Sequence, residues 1–232
     1  MNSNYNEKNS QLMEGKDVPV ISVAEMREAD RRTIEGGVPS KELMRRAAQG
    51  VYDANERGWE GKRTLIICGS GNNGGDGYAL AAIMKDQGLE PEILMVSDKF
   101  SEDGEYYHDI CADKGVTVFE KECLTESAAN QIDWESYDIF VDCMFGTGFA
   151  GVPREPAADV IRHINREREK RVVFVISVDI NSGMNGDTGE AELAVVSDLT
   201  VSIGFYKHGF FKGRAPELIG RLTNADIGIR LD

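Results

Sequence analysis

Apolar runs constrain this chain more than any other feature: TLIIC (residues 64–68), YDIFVDCMF (137–145) and RVVFVISVDI (171–180) are almost unbroken, and SDLTVSIGF (197–205) reads as a further strand with small polar residues interleaved. A strand with one face in water alternates apolar and polar residues, whereas a strand covered on both faces does not. Helical segments separate the runs, so they read as parallel strands of a sheet layered between helices.

The shorter segments fit the same scheme. PEILMVS (91–97) and VTVFE (116–120) read as further strands, and EPAADVIRHINRER (155–168) as a helix. Helices are also expected from the glycine turn to about Gln87, around 104–114 and near 125–132. Two helices lead the chain. SVAE at Ser22 has the capping-box spacing, and Ser40 is placed to cap KELMRRAAQGVYDANER, with Leu43, Ala47, Val51 and Ala54 on one face. The expectation is one α/β domain over 19–232, a three-layer αβα Rossmann-like sandwich with a mostly parallel central sheet. Residues 1–18 read as a flexible tail; they are polar, with no apolar stretch of the kind a secretion signal needs.

Composition narrows the function. A net charge of −14 would repel a nucleic-acid backbone. The mixed-sign REREKR (166–171) reads as a solvated helix end. No apolar run reaches the ~20 residues of a membrane span. The four cysteines (68, 111, 123 and 143) have no metal-ligand spacing; Cys68 and Cys143 sit in apolar runs, which suits a reducing cytosol. His108, His163 and His208 stand in unrelated contexts, and G-x-S-x-G, H-E-x-x-H and C-x-x-C are all missing. That disfavours serine hydrolases, zinc enzymes and thiol oxidoreductases.

Three loops follow three of the strands, and in a parallel sheet they gather at the carboxyl edge, where ligands bind. The first, GSGNNGGDG (69–77), has five glycines and two asparagines in nine residues. That density suits positive φ and close backbone approach to a ligand. It lacks the Lys and Ser/Thr of a P-loop. Asp76 falls in the first helical turn, where an acid is electrostatically welcome but crowds a pyrophosphate. The second loop, DCMFGTGFAGVP (142–153), opens on Asp142 inside an apolar run and offers free N–H groups to phosphate or ribose. The third, DINSGMNGDTG (179–189), opens on Asp179. A strand-terminal Asp can simply satisfy loop amides, and a glycine turn can simply be tight; three such loops at one edge point to a ligand site. Asn73, Asp142 and Ser182 are oxygen donors suited to a hard cation, with a monovalent ion and Mg²⁺ both compatible.

These loops resemble the YjeF N-terminal domain family, the NAD(P)H-hydrate epimerases. GSGNNGGDG resembles the family's G-x-G-N-N-G-G-D-G, DCMFGTG its D-x-x-F-G-T-G, and DINSGMNGDTG its D-I-P-S-G-x-x-x-D-T-G. The closing TVSIGFYKHGFFKG…ELIGRLTNADIGI is also similar, so the likeness spans about 20–230. The resemblance implies an isomerase that interconverts the R and S forms of hydrated NADH or NADPH (NAD(P)HX) at C6, feeding an S-specific dehydratase. It implies dinucleotide contacts on Asn72, Asn73, Gly74, Gly75 and Asp76, on Gly146, Thr147, Gly148, Phe149, Ala150, Gly151 and Val152, and on Asp179. It places one potassium ion per subunit on Asn73, Asp142 and Ser182, and implies a cytoplasmic homodimer with a separate dehydratase as its functional partner. NAD(P)HX would be the substrate, not a cofactor.

C6 is a hemiaminal carbon, so loss of hydroxide to an iminium and return of water to either face would scramble it. A carboxyl beside the hydroxyl could act as general acid and then base; Asp142 and Asp179 are the candidates. Lys207 reads either as a phosphate anchor or proton donor, or as an exposed lysine after a strand. Two residues depart from the family pattern. Asn181 replaces a proline, which is expected to loosen the turn, and Arg45 replaces a glutamate, which would alter a dimer face or the site's rim. Two rival readings stay open: a non-catalytic dinucleotide-binding or dimerising scaffold, and a redox Rossmann enzyme with Asp98, 24 residues beyond Gly74, as its ribose acid.

Overall fold

The structure is a computed structural model that describes residues 13–14, 18–124 and 132–231. Its strands are β1 (Met13–Glu14), β2 (Val20–Ile21), β3 (Thr64–Cys68), β4 (Glu92–Met95), β5 (Thr117–Phe119), β6 (Ile139–Cys143), β7 (Phe174–Val178), β8 (Leu199–Ile203), β9 (Tyr206–Lys207) and β10 (Arg221–Ala225). Its helices are α1 (Val23–Glu35), α2 (Ser40–Ala54), α3 (Asn72–Asp86), α4 (Glu102–Asp113), α5 (Ala157–Lys170) and the short α6 (Ala215–Leu218). The helix expected near 125–132 falls almost wholly outside the described residues, as does most of the expected tail. Of that tail, Met13–Glu14 pair with β10.

Eight strands form one sheet in the order β1-β10-β8-β7-β6-β3-β4-β5. Every neighbouring pair is parallel. The unbroken apolar runs are explained by cover on both faces. Leu65, Ile67, Phe140 and Val175 pack with Val160, Ile161 and Ile164 of α5. Ile66, Cys68, Val141 and Ile176 face the other way, into a cluster with α2, α3 and α4. From β3 the chain builds outward through β4 and β5, then returns to β6 on the other side of β3. This reversal between β3 and β6 is the topological switch point, where doubly wound sheets open a crevice.

Local chemistry sets the leading helices. Ser22 closes the expected capping box: its hydroxyl accepts from Glu25 N (3.2 Å), and Glu25 accepts from Ser22 N (2.8 Å). Ser40 does not cap α2; Pro39 is the cap residue and Ser40 the first helical one. A small second sheet pairs β2 with β9, Ile21 opposite Lys207, which ties the start of α1 to the segment after β8. Asp187, in the loop after β7, accepts from Val23 N at 2.8 Å and holds α1 from the other side.

The glycines of the first loop act differently from expectation. None of Gly69, Gly71, Gly74, Gly75 or Gly77 has positive φ. Gly74, Gly75 and Gly77 lie inside α3, where glycine is a poor helix former. Their role is close approach. A Cβ on Gly74 would sit 2.0 Å from the Gly69 carbonyl oxygen, and one on Gly77 2.7 Å from Cys68 Sγ. The bare backbone lets α3 rest directly on the ends of β3 and β6. No described helix is long and apolar enough to cross a membrane.

Candidate active site

The loops after β3, β6 and β7 meet in one cleft of about 570 Å³, closed from above by residues of α1 and α2. Its size suits a small-molecule ligand. Asn72, Asn73, Asp76, Gly146, Thr147, Gly148, Phe149 and Asp179 line it, as the sequence leads one to expect. Gly74 and Gly75 do not; they are buried in the α3 packing. Ala150, Gly151 and Val152 lie on the exposed stretch beyond, with Val152 48% exposed. Asp142 and Ser182 are completely buried beneath the lining.

The second loop is strung between the other two. Asn73 Nδ2 donates to the Phe145 carbonyl at 2.9 Å from the first loop. From the third, Ser182 Oγ accepts from Phe145 N (2.9 Å) and Asp179 Oδ2 from Thr147 N (3.2 Å). Arg27 of α1 donates to the Thr147 carbonyl at 3.0 Å, setting one cation at the cleft's rim. Phe145 and Phe149 stack with centroids 4.6 Å apart. Gly146 must stay bare, since a Cβ there would sit 2.9 Å from Asp179 Oδ2.

Asp142 is a structural hub with no open face. Its oxygens accept from Ser182 Oγ (2.5 Å), Ser182 N (2.8 Å), Ser177 Oγ (3.1 Å) and Met144 N (3.2 Å). Burial pushes its carboxyl up to about 6, against the hydrogen bonds from Ser182, Met144 and Ser177, which pull it down. Asp142 therefore shares the neighbourhood of the cleft without reaching into it. Close by, Asn73 Oδ1 is buried with no hydrogen-bond partner among the described residues.

Lys207 is neither an exposed lysine nor a phosphate anchor in the open. It is 0% exposed and donates to Asp179 Oδ1 (2.5 Å), the Ile203 carbonyl (2.9 Å) and Ser202 Oγ (3.2 Å), which satisfies all three ammonium hydrogens. Asp179 is the single described non-glycine residue with positive φ, at 65°. Its carboxylate is thus ion-paired on one side and faces the cleft on the other.

Asp76 has the opposite environment. It lines the cleft and accepts no hydrogen bond from a described residue. Burial, then the negative charges of Asp179 and Asp30, push its carboxyl well above the ordinary range, with Lys207 pulling weakly the other way. Asp30, from α1, lines the same cleft and is raised by burial, Asp179 and Asp103. The sequence reading missed Asp30 as a site residue. Its faint signal was an acid one turn beyond Met26, at the edge of the helix's apolar stripe.

The remaining expectations resolve simply. Asp98 is exposed, pairs with Lys121 and lies outside the cleft lining. Arg45 is exposed and pairs with Glu42 at 2.8 Å, also away from the lining. Asn181 does not loosen its turn. It is fully buried; its amide donates to the carbonyls of Val195 and Leu218 and to Ser197 Oγ, while its oxygen accepts from Thr200 Oγ1.

The chain matches the model of the family described as YjeF-related protein N-terminus over residues 40–209. It is 30% identical over 214 residues to the NAD(P)H-hydrate epimerase of Weissella koreensis, covering 90% of this chain and 91% of that protein. It is 37% identical over 210 residues to the bifunctional NAD(P)H-hydrate repair enzyme Nnr of Archaeoglobus fulgidus, covering 90% of this chain and 41% of that enzyme. The chain thus spans under half the length of this bifunctional relative. The crystal structure of yeast ynu0 superposes with a TM-score of 0.74 at 21% identity, covering 89% of this chain and 87% of that one, a likeness of fold.

Proposed function

This chain belongs to the family of YjeF-related protein N-termini, and from that premise we propose that it epimerises the R and S forms of hydrated NADH and NADPH at C6. One observation carries the proposal. A single cleft at the sheet's switch point brings together carboxyls in opposed surroundings, Asp76 with no partner among the described residues and Asp179 ion-paired with Lys207. An unpartnered carboxyl facing a ligand cleft is a candidate proton donor, and a fixed, ion-paired one a candidate electrostatic stabiliser.

The chemistry follows from those environments. Neutral Asp76 donates its proton to the C6 hydroxyl oxygen. The C6–O bond breaks, water leaves with the electron pair, and the ring nitrogen's lone pair forms the C=N bond of an iminium. The fixed carboxylate of Asp179 stabilises that cation electrostatically. Water then adds to C6, giving up a proton to a carboxylate as the π electrons return to nitrogen. Asp142, walled off by its own hydrogen bonds, takes no part in proton transfer and instead holds the loops of β6 and β7 together. The uncapped start of α3 and Arg27 favour the substrate's phosphates along the second loop.

A monovalent cation such as potassium would find its first donor at the buried, unpartnered Asn73 Oδ1, close to the Phe145 carbonyl; the oxygens of Asp142 and Ser182 lie in the same neighbourhood but would join the site only by giving up hydrogen bonds they now make. When bound, such an ion would offset the buried negative charge of Asp142. We extend the same reading to a homodimer that supplies a separate S-specific dehydratase in the cytoplasm.

The test uses purified protein, pure R-epimer NADHX and potassium buffer, with the R/S ratio followed by chromatography. Approach to equilibrium far faster than the protein-free control supports the proposal. A rate equal to that control overturns it and leaves the scaffold reading.

A further inference from the structure

We propose that Asp30 is a second catalytic carboxyl, serving the face of the nicotinamide ring opposite to the one that Asp76 serves. The inference rests on the epimerase reading and deepens it. Epimerisation through a planar iminium needs water to depart from one face and arrive at the other. A carboxyl fixed on a helix reaches one face of a bound ring, so a single acid could return water only to the face it left.

The cleft holds two carboxyls suited to the division. Asp76 enters from the second turn of α3, not the first as the sequence suggests, at the sheet's edge, and Asp30 enters from α1. Neither accepts a hydrogen bond or ion pair from a described residue. A half-buried, unpartnered carboxyl costs stability, and such groups concentrate where chemistry needs them. The charge of Asp179 acts on both, which sets the ion-paired carboxylate within reach of each and suits a cationic ring between them. Asp103 also lines the cleft, but it sits in the first turn of α4, where an acid serves the helix itself.

The protons balance. Asp76 gives one proton to the departing hydroxyl, and Asp30, ionised at that moment, takes one from the incoming water. The reverse reaction starts from the protonation state this leaves, and exchange with solvent resets it. The negative charge of Asp30 raises the affinity of Asp76 for a proton, so the pair is disposed to share one.

The test runs R- and S-epimer NADHX in ¹⁸O-water with wild type, Asp30→Asn and Asp76→Asn, following both the R/S ratio and ¹⁸O in each epimer by mass spectrometry. We expect each variant to lose epimerisation by about 100-fold or more. Each should still exchange oxygen into one epimer, and the two variants into opposite epimers. Both should melt no lower than wild type, since each loses an unpartnered carboxyl. Wild-type epimerisation in Asp30→Asn overturns the inference, as does equal loss of exchange into both epimers. A wild-type protein no faster than the protein-free control overturns the epimerase reading itself, a distinguishable result.

Discussion

Lys207 Nζ lies 2.5 Å from Asp179 Oδ1, and the lysine is 0% exposed while the aspartate reaches the cleft. This pair places a charge where a cationic ring would form, and it joins β9 to the loop after β7. Removing one partner strands the other's charge. Asp179→Ala should therefore destabilise the fold by about 3 kcal/mol. The double variant Asp179→Asn/Lys207→Met should recover part of the loss of Asp179→Asn alone. A double-mutant cycle by urea unfolding measures this, and strict additivity would contradict the coupling.

The pH dependence of kcat/KM should carry the mark of Asp76. The neutral carboxyl is the working form. Burial and the charges of Asp179 and Asp30 raise its pKa, so the working form persists above the ordinary carboxyl range and is lost as pH rises through the raised value. Activity should fall on the alkaline side. In Asp76→Asn that limb should vanish and the rate drop by about 100-fold or more. An unchanged alkaline limb in the variant would place the acid elsewhere.

Potassium should stabilise the protein through Asn73. At about ten times Kd, an ion that binds only the folded state adds about 1.4 kcal/mol, or roughly 3–6 °C in melting temperature for a chain of this size. Melting curves in potassium chloride and choline chloride compare the two conditions directly. In Asn73→Leu the difference should disappear. Equal melting of the wild type in both salts would remove the cation from the site.

The first loop offers a paired test of close approach. Gly74→Ala would put a methyl 2.0 Å from the Gly69 carbonyl oxygen, and should cost about 3 kcal/mol. Gly71→Ala meets nothing within 4 Å, and should change stability by less than about 0.5 kcal/mol. Thermal unfolding of the two variants separates the packing role from a general need for glycine in this loop. Equal effects would refute it.

Asn181 should prove structural. Asn181→Leu would leave the Val195 and Leu218 carbonyls and neighbouring hydroxyls without their buried partner, at a cost of about 2–4 kcal/mol. Urea unfolding reads this out, and a neutral substitution would mean that the network is dispensable.

Much of the fold is legible in the chain. TLIIC, DIFVDC and FVISV read as strands because their apolar runs are continuous, and SVAE reads as a helix start because its side chains sit three residues apart. The three loops stand out because each follows a buried strand with glycines and a carboxylate, joined by asparagines in the first and third. Other features are not local. The left-handed Asp179, the carboxyl of Asp142 sealed by Ser177 and Ser182, and the reach of α1 across the cleft all depend on partners far along the chain.

The amino-acid sequence by itself determined the order of strand, loop and helix, and hence that three acidic loops meet at one edge of a parallel sheet. Periodicity and turn chemistry act over a few residues, so they are written locally. The tertiary structure alone decided what surrounds each carboxylate. Asp142 is closed off, Asp179 is paired with Lys207, and Asp76 and Asp30 stand unpaired in the cleft. A carboxyl's solvation and charge neighbours set its chemistry, and in this fold those neighbours arrive from α1, β9 and the loops of three strands.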